Sequence, residues 1–66
     1  MHGTVTRYFK KHGKNSYGFI KGHDGEFYYF NFLSLKSEIQ EGEKVNFNGE
    51  KNGKGLFATE VKSCAI

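Results

Sequence analysis

Apolar and β-favouring residues arrive along this chain in five short runs, separated by polar breaks rich in glycine. GTVTRYFK (3–10), SYGFIK (16–21) and EFYYFNF (26–32) carry the β-branched and aromatic residues that suit a pleated surface. EKVNFNGE (43–50) and GLFATEVK (55–62) repeat the pattern. KHGKN (11–15), GHDG (22–25) and KNGK (51–54) are turn signals. LSLKSEIQEG (33–42) is the single candidate helix: Leu35 and Ile39 stand four apart and Gly42 can end the element, which permits one or two turns. Five short strands with glycine turns predict one all-β domain over residues 1–66. The expected architecture is a small five-stranded antiparallel barrel, closed so that no strand edge is left exposed.

Alternate side chains of a strand face opposite sides. Tyr17 and Phe19 therefore share one face, and Gly18 and Ile20 the other. Phe27, Tyr29 and Asn31 share a face, and Tyr28, Phe30 and Phe32 its opposite. Both faces of this hairpin are apolar, which in a larger protein would mean a sheet covered on both sides. Here the remaining apolar residues (Val5, Leu33, Leu35, Ile39, Val45, Phe47, Leu56, Val61 and Ile66) supply about one core. One aromatic face is expected to meet water, and contiguous exposed rings are unfavourable unless a ligand uses them. Tyr28 is expected in the core, with its hydroxyl at the barrel rim.

Charge sharpens this picture. The net charge is +3, yet residues 1–23 hold Arg7, Lys10, Lys11, Lys14 and Lys21 with no acid, while 24–66 hold five lysines against seven acids. The basic segment overlaps the aromatic one, and cations interleaved with rings suit a strand of nucleic acid. The single cysteine, Cys64, allows no intrachain disulfide and points to a reducing compartment, so a cytoplasmic location is expected. Three histidines and one cysteine show no metal-ligand spacing, and no apolar run approaches a membrane span. No nucleophile–histidine–acid set or phosphate-binding glycine loop is present, so an enzyme is not expected. Nor is a ligand pocket of several hundred Å³ expected in so small a barrel.

The same residues resemble the cold-shock domain. Asn15-Ser16-Tyr17-Gly18-Phe19-Ile20 resembles that family's first ribonucleoprotein motif, with Ser16 at its first glycine, and Phe27-Tyr28-Tyr29-Phe30 resembles its second. Gly3-Thr4-Val5, the run from Glu41 to Phe47, and Gly53-Lys54-Gly55 through Ala58 and Val61 resemble its first, fourth and fifth strands. The likeness covers nearly the whole chain in order. It departs at strand one, where Thr6-Arg7-Tyr8-Phe9-Lys10 holds no tryptophan, so either Arg7 or Tyr8 stands at the tryptophan position. Tyr29 replaces a stacking histidine.

The resemblance implies a five-stranded OB barrel that binds single-stranded RNA and DNA with low sequence selectivity. It also implies RNA-chaperone activity, a part in the stress response, and transcription regulation or antitermination. No cofactor is implied and a monomer is expected. Tyr17, Phe19, Phe27 and Tyr29 are the expected stacking platform. Phe30 matches a family binding position although its parity is inward. Tyr8 and Phe9 are further candidate rings, and Arg7, Lys10, Lys11 and Lys14 candidate phosphate contacts. The rival reading is an OB- or SH3-like module that binds protein or proline-rich peptides through the same patch.

Overall fold

A computed structural model of the chain describes residues 1–9 and 16–64. Five strands are present: β1 (His2–Phe9), β2 (Tyr17–Gly22), β3 (Phe27–Asn31), β4 (Lys44–Asn52) and β5 (Gly55–Ser63). They close into a barrel in the order β1-β2-β3-β5-β4, with β4 returning to β1. The order is that of an OB-like barrel. Four ladders are antiparallel, and the closing contact between β3 and β5 is parallel, with Tyr29 opposite Phe57. No helix among the described residues is long and apolar enough to cross a membrane.

The interior is filled by alternate residues from all five strands. Val5, Ile20, Tyr28, Phe30, Val45, Phe47, Ala58 and Val61 are buried, as is Ile39 from the β3–β4 connection. Close packing relies on glycine at chosen points. A Cβ at Gly18 would run into the carbonyl oxygen of Arg7 on β1 and come within 2.7 Å of Phe30 Cζ, so that position admits no side chain. Tyr28 is buried as its parity required, and its hydroxyl donates to Asp24 Oδ2 at 2.6 Å across the β2–β3 turn. That hydrogen bond is the main reason the Asp24 carboxyl lies below the ordinary aspartate range; the Glu26 N–H, donating to Asp24 Oδ1, adds to it.

Two β-bulges bend the strands. In β1, Val5 pairs with Ile20 but Arg7 pairs with Phe19, so Thr6 is the extra residue. Its hydroxyl donates to the carbonyl of Phe19 at 3.2 Å. The ladder between β4 and β5 shifts between Asn46 and Asn48, and nearby Glu60 takes a left-handed φ of 50°. The Glu60 carboxylate accepts from Asn48 Nδ2 at 2.8 Å, holding that strained residue against the neighbouring strand.

The expected helix over 33–42 does not form. A 3-10 turn, Phe32–Ser34, is followed by irregular backbone. The segment is tied to the strands on both sides: the Lys36 N–H donates to the Val61 carbonyl and Ser37 Oγ accepts from the Ser63 N–H on β5, while the Gly42 N–H donates to the Val5 carbonyl on β1. Leu35 bridges Val61 in parallel and Ile39 enters the core, so the four-residue spacing anchors a strap across the barrel instead of a helical stripe. Leu33, expected in the core, is 72% exposed, and Phe32, assigned inward by parity, is also exposed. Both follow from the end of β3 at Asn31, where the turn replaces the two-residue alternation. Ile66 lies outside the described residues.

Candidate functional site

The hairpin β2–β3 runs in unbroken register, Tyr17 opposite Asn31, Phe19 opposite Tyr29 and Lys21 opposite Phe27. Strand alternation then sends Gly18, Ile20, Tyr28 and Phe30 inward, and turns Phe19, Phe27 and Tyr29 to the surface with Tyr17 half-buried beside them. Phe27 is the most open ring, at 55% exposure. Lys21 Nζ lies 5.9 Å from its centroid, a cation–π contact that keeps a positive charge beside the ring face.

The rings touch in series. Phe9 stacks on Tyr17 at 5.0 Å with planes 28° apart, Tyr17 approaches Tyr29 at 6.3 Å, and Tyr29 meets Phe19 edge-on at 5.8 Å. These spacings are those of aromatic pairs that support one another while leaving faces open. Four strands also align one row across the face: Arg7 on β1, Phe19 on β2, Tyr29 on β3 and Phe57 on β5. The Arg7 end is exposed to water.

Strand one resolves its ambiguity through the bulge. Beyond Thr6 the alternation is reversed, so Arg7 and Phe9 face outward and Tyr8 faces the core, with its ring 5.6 Å from Phe30. Two sequence candidates are corrected here. Phe30 is 1% exposed and serves as a core side chain, so no base can reach its face. Tyr8 is half-buried against the same core, its N–H donating to Glu41 Oε2, and Phe9 supplies the outward ring from β1. Lys10, Lys11 and Lys14 lie outside the described residues.

Phe57 was not among the sequence candidates. It pairs with Tyr29 and lines, with Asn31, Ser34, Asn52 and Lys54, a groove of about 380 Å³ between β3 and the β4–β5 hairpin. The signal was present in the alternation of GLFATEVK: with Ala58 in the core, Phe57 must turn away from it. What the alternation does not reveal is that β5 closes beside β3 and so adds this ring to the same face. The groove also corrects the expectation that a barrel this small lacks several hundred Å³ of binding volume; that space lies on its outer surface.

No protein-family model and no curated protein matches this chain. The reading of the site therefore rests on its geometry: outward rings in mutual contact, a cation at each flank, amide and hydroxyl groups along one edge, and a rigid sheet beneath.

Proposed function

We propose that this protein binds single-stranded RNA or DNA in the manner of a cold-shock domain. The observation that carries the reading is the continuous outward aromatic face of β2–β3, extended by Phe9 and Phe57 and flanked by Arg7 and Lys21. OB barrels take oligonucleotides on the face of their second and third strands. Stacking of a base on an aromatic side chain contributes about 1–3 kcal/mol without demanding a sequence, because every base has a π-face. Cations beside the rings neutralise phosphates and release counterions. The sheet holds the rings before the ligand arrives, so little ordering entropy opposes binding.

Selectivity is low on this reading, since few groups address base edges; Asn31, Ser34 and Asn52 along the groove are the exceptions. Occupying unpaired strands draws weak hairpins open by mass action, without a nucleotide cofactor. That is the physical basis of RNA-chaperone activity and of an effect on transcription through nascent hairpins. The protein acts as a monomer in the cytoplasm, where Cys64 stays reduced.

The test is a titration with short pyrimidine-rich and purine-rich single strands, with duplex as control, followed by tyrosine fluorescence. Single strands are expected to bind and duplex to bind far more weakly. The logarithm of affinity should fall with that of salt, with a slope near −0.7 per phosphate contacted. Binding that ignores salt, or that prefers a proline-rich peptide to oligonucleotide, overturns the proposal in favour of a protein-interaction module.

A further inference from the structure

Beyond the rings, the same sheet continues into a face without aromatics. Phe27 on β3 lies in a cross-strand row with Lys21 on β2, Thr4 on β1 and Lys44 on β4. The next row runs from His2 on β1 through Asn46 on β4 to Lys62 on β5, and His23 is joined to its β1 end by its N–H donating to the His2 carbonyl at 3.0 Å. His2, Lys21, His23, Lys44, Asn46 and Lys62 are all exposed, and no carboxylate stands in either row. A shallow groove of about 490 Å³, lined by His2, Thr4, Thr6, Lys21, His23 and Lys44, lies along this surface.

The nearby carboxylates lie at the margins of this face and are hydrogen-bonded within the fold. Asp24, beside His23, accepts from Tyr28 and from the Glu26 N–H, Glu43 from the Gln40 N–H and the Ser63 hydroxyl, Glu41 from the Tyr8 N–H, and Glu60, in a groove with Lys62, from Asn48 Nδ2. The face is left basic although the half of the chain that contributes Lys44 and Lys62 is acidic overall.

We infer that this outer face of β4–β1–β2 is a second phosphate path, without phenylalanine or tyrosine, which takes the sugar–phosphate backbone of a strand continuing past Phe27. The inference rests on the proposed single-strand binding and extends its footprint around the barrel. Three strand spacings separate Phe27 from Lys44, roughly 14 Å. A span of that length takes a short run of successive phosphates. Lysine ammonium groups, imidazole N–H groups and the Thr4 hydroxyl supply donors there, and no phenylalanine or tyrosine extends the stacking platform onto it. Bases over this face stay free, so the path adds affinity for length and none for sequence.

The experiment compares labelled oligothymidines of about 6 and about 14 nucleotides on the wild type and on the double variant His2→Gln/Lys44→Gln, which leaves every ring and Lys21 in place. For the longer strand the variant is expected to lose roughly five- to tenfold in affinity at low salt, with the salt slope reduced by about 0.7 for the one lost lysine–phosphate contact. Affinity for the shorter strand should stay within twofold. If the variant binds the longer strand as the wild type does while the short strand still binds, the path is overturned and the aromatic site stands. If neither length binds the wild type, the parent reading falls and takes this extension with it. Circular dichroism of the variant checks that both substitutions leave the barrel folded, and Lys44→Glu, which reverses one charge in place, should deepen the length-dependent loss.

Discussion

Phe9 stacks on Tyr17 because one residue, Thr6, has no ladder partner of its own. Were β1 regular, the inward position of Val5 would carry Arg7 and Phe9 into the barrel and put Tyr8 outside. The bulge reverses that parity and its hydroxyl stabilises the irregularity by bonding the Phe19 carbonyl. The aromatic face thus gains a third strand.

Phe9 and Tyr8 should consequently respond in opposite ways. Phe9→Ala is expected to weaken oligonucleotide binding by about 1–3 kcal/mol and to leave the denaturation midpoint nearly unchanged. Tyr8→Ala removes a ring half-buried against Phe30 and should lower stability by roughly 1–2 kcal/mol, read by urea unfolding. Exchange of these two outcomes would show that β1 is regular.

The same contrast separates Phe19 and Phe27 from Phe30. Alanine at Phe19 or Phe27 is expected to cost about 1–3 kcal/mol of binding with the fold intact. Phe30→Ala opens a cavity in the barrel and should cost about 3–5 kcal/mol of stability, much of what so small a domain has. Unfolding of the Phe19 or Phe27 variant would assign those rings to the core.

Phe57 supplies a further check on the extent of the platform. Phe57→Ala should reduce affinity by roughly 1 kcal/mol or more through loss of the ring beside Tyr29, as measured by fluorescence titration. Phe57→Tyr, which keeps the ring, should retain binding. Equal affinity for Phe57→Ala and wild type would confine the platform to β1–β3.

At Gly18 a methyl group has nowhere to go. With the Arg7 carbonyl oxygen closest to the added Cβ and Phe30 Cζ 2.7 Å from it, Gly18→Ala is expected to destabilise the fold by about 1–3 kcal/mol. Pairing it with Phe30→Leu, which withdraws the ring but leaves the Arg7 carbonyl in place, should recover little of the loss in a double-mutant cycle.

The Tyr28–Asp24 hydrogen bond predicts an acid limb in stability. The folded carboxyl is held below its value in the unfolded chain, so its contribution is complete above the unfolded value and is lost as pH falls through the folded one. The reciprocal effect raises the Tyr28 phenol, chiefly through the same bond. In Tyr28→Phe the Asp24 carboxyl should titrate closer to the ordinary aspartate value, as followed by carbon NMR, and stability should fall less steeply in acid. An unmoved Asp24 titration would show that the Glu26 N–H dominates instead.

Much of the barrel and of its aromatic face follows from local pattern alone. In β2 and β3 the ladder is free of bulges, so alternation read residue by residue puts Tyr17, Phe19, Phe27 and Tyr29 on one side and Gly18, Ile20, Tyr28 and Phe30 on the other. The surplus of rings over one small core already required some to face water. Strand one was not legible, because whether Thr6 takes a partner depends on how sharply the barrel must bend, which no single strand encodes. The membership of Phe57 depended on closure between β3 and β5, residues 28 positions apart that meet only when the barrel shuts. The 33–42 segment kept its helical spacing without becoming a helix, since β5 offered its backbone groups better partners than one or two isolated turns provide. Short-range alternation was thus set by covalent geometry and polarity, whereas bulge, closure and strap were decided by long-range packing, whose energy no local window contains.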